Sequence, residues 1–407
     1  MSKSKNILVI TYWSYKDALI QAYTLPYIQI FGELLKPNQV VYLVTLEQKQ
    51  LRLNANERWQ VKERLRLQGI KWIDFNYHKF GILGLLYWIP IFFRLIVLTF
   101  TRKISHIHAW CTPAGAIGYL LSILTGKSLV VDSYEPHADV MLETHTWTAK
   151  SKQFRILRLF EKLQGKHAKT LICCTQDMAE FVKKNFHFTM KNQLVKPACV
   201  NLEQFSFSNR KNPYLMKKLG LEGKIVCVYA GKFGGLYLEQ EVFDFFEVAY
   251  NYWGEKFRVL LLTNETNDKI DNWAKNAGVP RDIIYNRYVF HSKVADYMGL
   301  GDFGISPYNP VPSRKYSAPI KNAEYWALGL PVVITNRIAD DSSIIEKNKI
   351  GAVIQELNDA SYLQAIQTID HLLKSNSMDE LYHKIRKVAE EQRKFSVASE
   401  VYRKVYP

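Results

Sequence analysis

The sequence predicts an α/β protein with two Rossmann-like domains, each built on a parallel sheet and facing a central cleft. Short, nearly continuous apolar runs alternate with helical stretches, which is typical of parallel strands covered on both faces. The alternation occurs twice, and a polar stretch without periodicity, residues 195–213, separates the two series. The length of 407 residues agrees with this division, because a single core rarely grows beyond about 250–300 residues.

The apolar runs define the strands of both domains. In the first series they are NILVITYW, QVVYLVTLE, IKWIDFNY, ISHIHAW, KSLVVDSY and TLICCT. In the second series they are KIVCVYAG, FRVLLLTNE, IIYNRYV, FGISPY, PVVITN and GAVIQ, and the tail that follows them is helical almost throughout. We predict a first domain over residues 1–200, a second over 201–390, and a closing helix over 391–407 that returns to the first.

Composition narrows the classes of partner. The net charge of +16 predicts attraction to polyanions, which include nucleic acid, anionic membranes and phosphorylated small molecules. No aromatic and basic platform for single strands and no recognition helix stands out, so nucleic acid is not an expected partner. The five cysteines have no metal-ligand spacing and several lie in apolar runs, which predicts reduced thiols in a cytosolic protein.

The segment GILGLLYWIPIFFRLIVLTF, residues 81–100, has the length of a membrane span but carries Arg94 and Pro90. An arginine near the centre of a span costs about 2.5–3.5 kcal/mol on insertion scales, and the proline would kink the helix. A helix buried in the protein or lying in a membrane interface fits the segment better than a span does.

Two stretches of the second domain can carry chemistry at the carboxyl edge of its sheet. Gly231, Lys232, Gly234 and Gly235 follow a strand and precede a helix, an arrangement that can bring backbone N–H groups to an anion or can be only a tight turn. SAPIKNAEYWALGLPVVITN, residues 317–336, predicts a helix capped by Ser317 and ended at Gly329, with an inward stripe of Ile320, Ala323 and Ala327. Lys321 and Glu324 in this helix are either a surface ion pair or part of a site.

SAPIKNAEYWALGLPVVIT resembles the donor-site motif of GT-B glycosyltransferases of family 4 type, which use nucleotide-sugar donors and typically retain anomeric configuration. VCVYAGKFGG is similar to the phosphate loop of that family, VKPACVNLEQF to its linker and FSVASEVYRKVY to its closing helix. The resemblance covers nearly all of the second domain and the topology of the first.

The resemblance implies a role for each matching residue. Glu324 matches the glutamate that holds the donor ribose, and Lys232 matches the basic residue that meets the diphosphate, with Lys321 placed near the same groups. Gly231, Gly234, Gly235 and Ser317 complete the expected donor site. The family often has a glutamate and a basic residue where this chain has Tyr316 and Tyr237. No Asp-x-Asp motif is present, and adjacent Asp340 and Asp341 are more simply helix caps, so no metal or other cofactor is expected.

In the first domain, VVDSYEPHADVMLE follows a strand and clusters Asp132, Glu135, His137 and Asp139. His137 matches a family histidine that contacts the donor sugar, although an exposed polar turn would have the same composition. We expect Glu135 at the acceptor, together with Tyr15 and Lys16 from the loop after the first strand. Of the histidines in SHIHAW, His106 and His108, one can line the cleft, but a satisfied core histidine is the simpler interpretation.

Basic residues step by three or four along SKQFRILRLFEKLQGKHAK. They are Lys152, Arg155, Arg158, Lys162, Lys166 and Lys169. On a helix they fall within about a third of the circumference. Such a stripe is either a solvated face or, in a chain of this charge, a surface for an anionic membrane.

The predicted protein is a glycosyltransferase that moves a sugar from a nucleotide diphosphate to a cell-envelope or polysaccharide acceptor, possibly lipid-linked. It would be cytoplasmic and peripheral on the inner face of the membrane. Two alternatives stay open at this point: another GT-B enzyme such as a nucleotide-sugar epimerase, and a GT-B-like binding subunit without turnover.

Overall fold

The structure, a computed structural model, describes residues 6–17, 19–36, 39–78 and 82–406. Gly81, the first residue of the apolar segment, lies outside these ranges. The chain forms two compact units. The first consists of Met1–Leu142, Trp147–Pro197 and Phe395–Pro407, and the second of Glu143–Thr146 and Ala198–Lys394.

The first unit is built on a seven-stranded sheet with the order β3-β2-β1-β4-β5-β6-β7. Its strands are β1 Asn6–Ile10, β2 Val41–Glu47, β3 Ile70–Asn76, β4 Ile104–Trp110, β5 Ser128–Asp132, β6 Thr170–Cys173 and β7 Gln193–Val195. Its helices are α1 Leu25–Glu33, α2 Ala55–Leu67, α3 Ile82–Thr101, α4 Cys111–Thr125, α5 His137–Glu143, α6 Lys152–His167, α7 Met178–Phe186 and α16 Phe395–Val405. All strand pairs are parallel.

The second unit has a six-stranded parallel sheet with the order β10-β9-β8-β11-β12-β13. Its strands are β8 Ile225–Ala230, β9 Phe257–Leu262, β10 Ile284–Arg287, β11 Phe303–Ser306, β12 Val332–Thr335 and β13 Gly351–Ile354. Its helices are α8 Pro213–Lys218, α9 Gln240–Trp253, α10 Asn267–Ala277, α11 His291–Met298, α12 Ile320–Ala327, α13 Asp341–Asn348, α14 Asp359–Ser375 and α15 Met378–Gln392.

The predicted fold of two parallel-sheet α/β domains is confirmed, and every predicted strand is present. The central strands have no polar face because helices cover both sides of each sheet, and β1 and β2 are buried along their whole length. The edge strand β7 was missed: its last residue, Val195, is the first residue of the predicted linker. Pro26 lies in the first turn of α1, directly after a π-helical turn over Ile20–Thr24.

The closing segment of the first unit is held by a buried ion cluster. The Lys196 ammonium lies 3.3 Å from the Asp132 carboxylate and 3.7 Å from the centre of the Tyr27 ring. On α16, the Tyr402 hydroxyl donates a 2.7 Å hydrogen bond to Asp132. His108 of β4 lies 3.4 Å from the same carboxylate, and its Nδ1 is 2.6 Å from the hydroxyl of Tyr406. His108 is therefore the core histidine of the pair in SHIHAW, with Tyr406 as the hydrogen-bond partner of its Nδ1.

Helix α3 corresponds to the apolar segment, with Pro90 inside it. One side of the helix packs on the first unit through Trp88, Ile91 and Leu95, all buried, and the opposite side is exposed. Among the helices described, none meets the combined length and apolarity of a bilayer-crossing segment.

Candidate functional site

The candidate donor residues gather where the strand order of the second sheet reverses. From β8 the chain moves outward to β9 and β10, and then crosses back to β11, which pairs with the other side of β8. Ligands of open α/β sheets bind in the crevice at such a switch point, beyond the carboxyl ends of the strands. The loop after β8 carries the glycines, and the loop after β11 leads to α12.

The loop after β8 is a turn that requires glycine. Gly234 and Gly235 have φ angles of +79° and +63°, a region that side-chain-bearing residues rarely adopt. Within the part of the chain that the structure describes, no acceptor meets the N–H groups of Lys232, Gly234 and Gly235. The Lys232 side chain is exposed. An anion at these donors stays a prediction, and α9 starts only at Gln240, so its N-terminus does not directly follow the glycines.

The intervening residues pair with the loop after β11. The Leu238 N–H donates to the Pro307 carbonyl at 2.9 Å, and Tyr237 and Tyr308 form an antiparallel bridge with ring centres 4.8 Å apart. This pairing fixes the glycine turn against the second loop at the switch point.

The side chain of Lys321 crosses the glycine loop. A Cβ built on Gly231 would lie 2.5 Å from Cε and 2.9 Å from Nζ of Lys321, so only glycine leaves this path open. The ammonium lies 3.4 Å from the Tyr237 hydroxyl and 4.6 Å from the centre of that ring. Burial alone would raise the pKa of Tyr237, but Lys321, a hydrogen bond with Tyr308 and the Arg314 guanidinium lower it to about 8. Tyr237, at the position where a basic residue was expected, therefore holds a cation in place.

Helix α12 begins at Ile320 with Pro319 as its N-cap, and no side chain caps it. The predicted cap, Ser317, is wrong: it is buried two residues further upstream, at the end of a 3₁₀ turn over Pro312–Tyr316. The first N–H groups of an α-helix have no partner inside the helix, so this uncapped end offers donors to a ligand. The predicted inward stripe is also too narrow, because the helix is buried on nearly every side from Asn322 onward.

Glu324 is a buried carboxylate, and few interactions offset the cost of removing its charge from water. It is 8% exposed, and in the described residues no group donates a hydrogen bond to its side chain. Burial raises the pKa of Glu324 to about 7, against the opposing effect of the Lys321 ammonium. A surface ion pair would have lowered this pKa, so Lys321 and Glu324 are not the ordinary exposed pair that the sequence left as one alternative.

A buried network that the sequence analysis missed fixes α12. The Asn322 side chain donates to Asp341 at 2.6 Å, and Arg393 binds the other oxygen of the same carboxylate. The Arg393 guanidinium also lies 5.4 Å from the centre of the Trp326 ring. Asp341 was expected to cap α13, but no cap hydrogen bond forms there, because its carboxylate is turned towards Asn322 and Arg393. Asn322 lies outside the predicted inward stripe of Ile320, Ala323 and Ala327, so no pattern in the sequence pointed to this network.

In the first unit, the predicted carboxylate and histidine cluster separates into three environments. Asp132 is fully buried in the ion cluster, and Asp139 pairs with Arg158 of α6. Glu135 and His137 stay together at the surface: His137 opens α5, and its Nδ1 lies 3.5 Å from a Glu135 oxygen. Both side chains are about one-fifth exposed.

Two residues of the loop after β1 have different environments. Tyr15 was expected at an acceptor, but its ring is buried against Trp72 and its hydroxyl accepts a 2.7 Å hydrogen bond from Arg64. That expectation is corrected, because this ring is part of the core. Lys16 is exposed and pairs with Glu57 at 3.1 Å.

Residues 251–396 match a family model described as "Glucosyltransferase 3-like, C-terminal domain". No protein of curated function matches the sequence.

Several solved structures share the fold over nearly the whole chain. Sucrose-phosphate synthase from Thermosynechococcus elongatus is 13% identical with a TM-score of 0.72, covering 99% of each chain. Anabaena HepE in complex with UDP-glucose is 13% identical with a TM-score of 0.72, covering 98% of each chain. WaaG, a glycosyltransferase involved in lipopolysaccharide biosynthesis, is 13% identical with a TM-score of 0.71, also covering 98% of each chain.

These structures establish the fold, and the family match adds the activity class of the second domain. The protein is a glycosyltransferase of the GT-B fold.

Proposed function

We propose that the protein is a retaining glycosyltransferase of family 4 type that transfers a sugar from a nucleotide diphosphate to a cell-envelope or polysaccharide acceptor. UDP-glucose is the donor we would test first, because the family model describes glucosyltransferases and the Anabaena relative was solved with that molecule. We further propose that the acceptor is lipid-linked and that the enzyme meets it at the cytoplasmic face of a membrane.

The environment of Glu324 is the observation that supports the proposed donor site. A buried carboxylate without hydrogen-bond donors is costly, and carboxylates with strongly raised pKa values cluster at functional sites. The two hydroxyl groups of a ribose are donors of the kind that this carboxylate lacks. Glu324 would bind the ribose, and Lys321, three residues earlier on α12, would lie towards the diphosphate.

The chemistry needs positive charge near the leaving group. Cleavage of a sugar–diphosphate bond builds negative charge on the diphosphate and positive charge at the anomeric carbon. Lys232, Lys321, the N–H groups of Gly234 and Gly235, and the open end of α12 are donors that can stabilise that charge without a metal ion. His137, with Glu135 beside it, is our candidate for contact with the transferred sugar.

Thermal stabilisation by nucleotides tests the donor site. A ligand at 100 times its Kd stabilises the folded state by about 2.7 kcal/mol, so UDP and UDP-glucose should raise the Tm clearly. Glu324→Gln should shrink this shift, whereas the exposed Glu222→Gln control should leave it unchanged. The same measurement with ADP and with GDP identifies the nucleotide base that the site prefers. An equal shift in wild type and Glu324→Gln would remove Glu324 from the donor site.

Turnover separates the proposed transferase from its alternatives. With UDP-glucose and a mixture of glycan acceptors, we expect a glycosylated product whose anomeric configuration, determined by NMR, matches the donor. A free epimeric sugar would indicate an epimerase, and nucleotide binding without any product would indicate a binding subunit.

The role of His137 is tested by separating binding from transfer. His137→Ala should keep the UDP-induced rise in Tm and lose most transferase activity, because the side chain is proposed to touch the sugar and not the nucleotide. Parallel loss of both would place His137 in a structural role.

A further inference from the structure

We infer that one face of the first unit, formed by α3, α4 and α6, is a docking surface for an anionic lipid bilayer. This inference rests on the proposed function, in which the acceptor is lipid-linked, and identifies the surface that would meet the lipid. It depends on the exposed side chains of the three helices and on their charges.

The exposed side of α3 is almost entirely apolar. Phe93 is 66% exposed and Ile89 is 60% exposed, and the same side of the helix also presents Leu86, Tyr87, Val97 and Phe100. Arg94 is the charged residue of this helix. Soluble proteins rarely expose contiguous apolar surface of this extent unless it binds a partner or a membrane.

The apolar surface continues onto the two neighbouring helices. On α4, Leu120, Ile123 and Leu124 are exposed, and on α6, Ile156 and Leu159 are exposed. Leu159 lies within the angular range of the basic stripe, so apolar and cationic side chains alternate on this face. An alternation of this kind suits an interface in which lysine and arginine ammonium groups reach headgroups while apolar side chains enter the acyl region.

Direct contacts join the three helices into one face. The Lys127 ammonium, just after α4, lies 5.5 Å from the centre of the Phe100 ring on α3. Between α4 and α6, the Ser122 hydroxyl lies 2.8 Å from Nε2 of His167, and Gln164 donates to the Thr112 carbonyl at 3.1 Å. The right-handed crossovers that lead from β3 to β4, β5 and β6 place these helices on the same side of the sheet.

The positive charge of this face favours an anionic bilayer as its partner. The sequence has no aspartate or glutamate between Asp74 and Asp132, a stretch that includes all of α3 and α4. Helix α6 has one acidic residue, Glu161, and it is buried, whereas Lys152, Arg155, Lys166 and Lys169 are exposed. Two copies packed through this face would bring like charges together, which disfavours a dimer. Each exposed lysine or arginine near an anionic surface adds electrostatic attraction.

Flotation of the full chain with vesicles tests the inference. The protein should float with vesicles that contain phosphatidylglycerol, should not float with phosphatidylcholine alone, and should be released progressively as salt is raised. The double variant Ile89→Ser/Phe93→Ser should bind at least about tenfold more weakly, because it removes two side chains that enter the acyl region. Its control is Tyr288→Ser/Phe290→Ser, two exposed aromatic residues of the second unit.

Charge reversal tests the basic half of the surface. Arg155→Glu/Lys166→Glu should weaken binding at least about tenfold, since two favourable charges become repulsive. Lys217→Glu/Lys218→Glu on α8 makes the same change in net charge at exposed positions of the second unit and should have little effect.

Three outcomes would overturn the inference. They are failure of the wild type to float with anionic vesicles at low salt, undiminished flotation of the α3 variant, and a wild-type dimer in light scattering that the α3 variant abolishes. The UDP-induced rise in Tm is measured on the same preparations. If that shift is present without flotation, the docking surface fails alone; if it is absent, the proposed donor site fails.

Discussion

Two buried carboxylates, one in each unit, lie in opposite electrostatic environments. Asp132, at the end of β5, contacts Lys196, Tyr402 and His108. Burial by itself would raise its pKa, but the Lys196 ammonium and these hydrogen bonds lower the pKa of Asp132 to about 2. For Glu324, on α12, Lys321 is the opposing charge among the described residues, and burial raises the pKa of Glu324 to about 7.

The difference distinguishes a structural carboxylate from a candidate binding carboxylate. The partners of Asp132 are supplied by the first unit itself, including the closing helix α16, so that charge contributes to folding. The charge of Glu324 is left without hydrogen-bond donors in the described residues, which is expected where a ligand supplies them. Loss of the charge should therefore lower stability at Asp132, whereas at Glu324 it should lower ligand affinity without lowering stability.

The largest effect on stability is expected at Lys196. Lys196→Met leaves the Asp132 charge buried and unpaired, which costs about 3–5 kcal/mol. The equivalent change in the second unit, Lys321→Met, should cost far less, because Glu324 can take up a proton near neutral pH. Urea denaturation of both variants at pH 7 measures the contrast, and equal losses would show that the two carboxylates do not differ.

The next effect is on catalysis. Lys232→Ala should lower kcat/KM by about 10²–10³, the usual consequence of losing one group that stabilises developing charge. Its Tm should not change, because the side chain is exposed. Steady-state kinetics beside a Lys217→Ala control would check this, and unchanged turnover would exclude Lys232 from the diphosphate site.

The third prediction concerns pH. Because the pKa of Glu324 is raised to about 7 in the folded state, its favourable contribution is complete below the unfolded pKa and is lost as pH rises through about 7. The loss amounts to about 3 kcal/mol, and Glu324→Gln should abolish it, so this variant should be more stable than wild type at pH 8. Asp132 acts in the opposite sense: its contribution is present above its unfolded pKa and is lost as pH falls towards about 2.

Chemical denaturation of wild type and Glu324→Gln between pH 5 and pH 8 tests the sign. A wild type whose stability is flat over this range, or rises, would contradict the environment assigned to Glu324. If ribose hydroxyl groups donate hydrogen bonds to the Glu324 carboxylate, UDP should reduce the difference in stability between wild type and Glu324→Gln at pH 8.

The smallest effect is expected at Tyr237. Tyr237→Phe keeps the ring under the Lys321 ammonium and loses only a 3.4 Å contact, so UDP affinity should fall by no more than about fivefold, the usual range for one hydrogen bond. Tyr237→Leu removes the ring as well and should weaken binding further. Isothermal titration with UDP separates the two, and identical affinities in all three proteins would mean that Tyr237 does not position Lys321.

The prediction of the fold succeeded because the signals are local. Parallel strands buried on both faces give continuous apolar runs such as VCVYA, and the helices between them follow from their own periodicity. Gly234 and Gly235 were also recognisable, since their positive φ angles exclude most other residues. The edge strand β7 was missed because three half-buried residues carry no such pattern.

The environments of single side chains could not be obtained in this way. Asp132 and Asp139 look alike in VVDSYEPHADV, yet one is buried with a lysine from far along the chain and the other pairs with Arg158. Asp341 looked like a helix cap until Asn322 and Arg393 were brought to it. Tyr15 looked exposed in a polar loop and is covered by Trp72 of β3.

The sequence by itself determined two parallel sheets, the glycine turn and the helix that carries Lys321 and Glu324, because backbone preferences and burial patterns act over a few neighbouring residues. The tertiary structure decided which of the buried charges are paired. Pairing depends on residues distant in sequence, such as Lys196 and Tyr402 for Asp132, and a pKa depends on how completely such neighbours replace water. For that reason Asp132 and Glu324, whose side chains have similar pKa values in water, have pKa values of about 2 and about 7 in the folded protein.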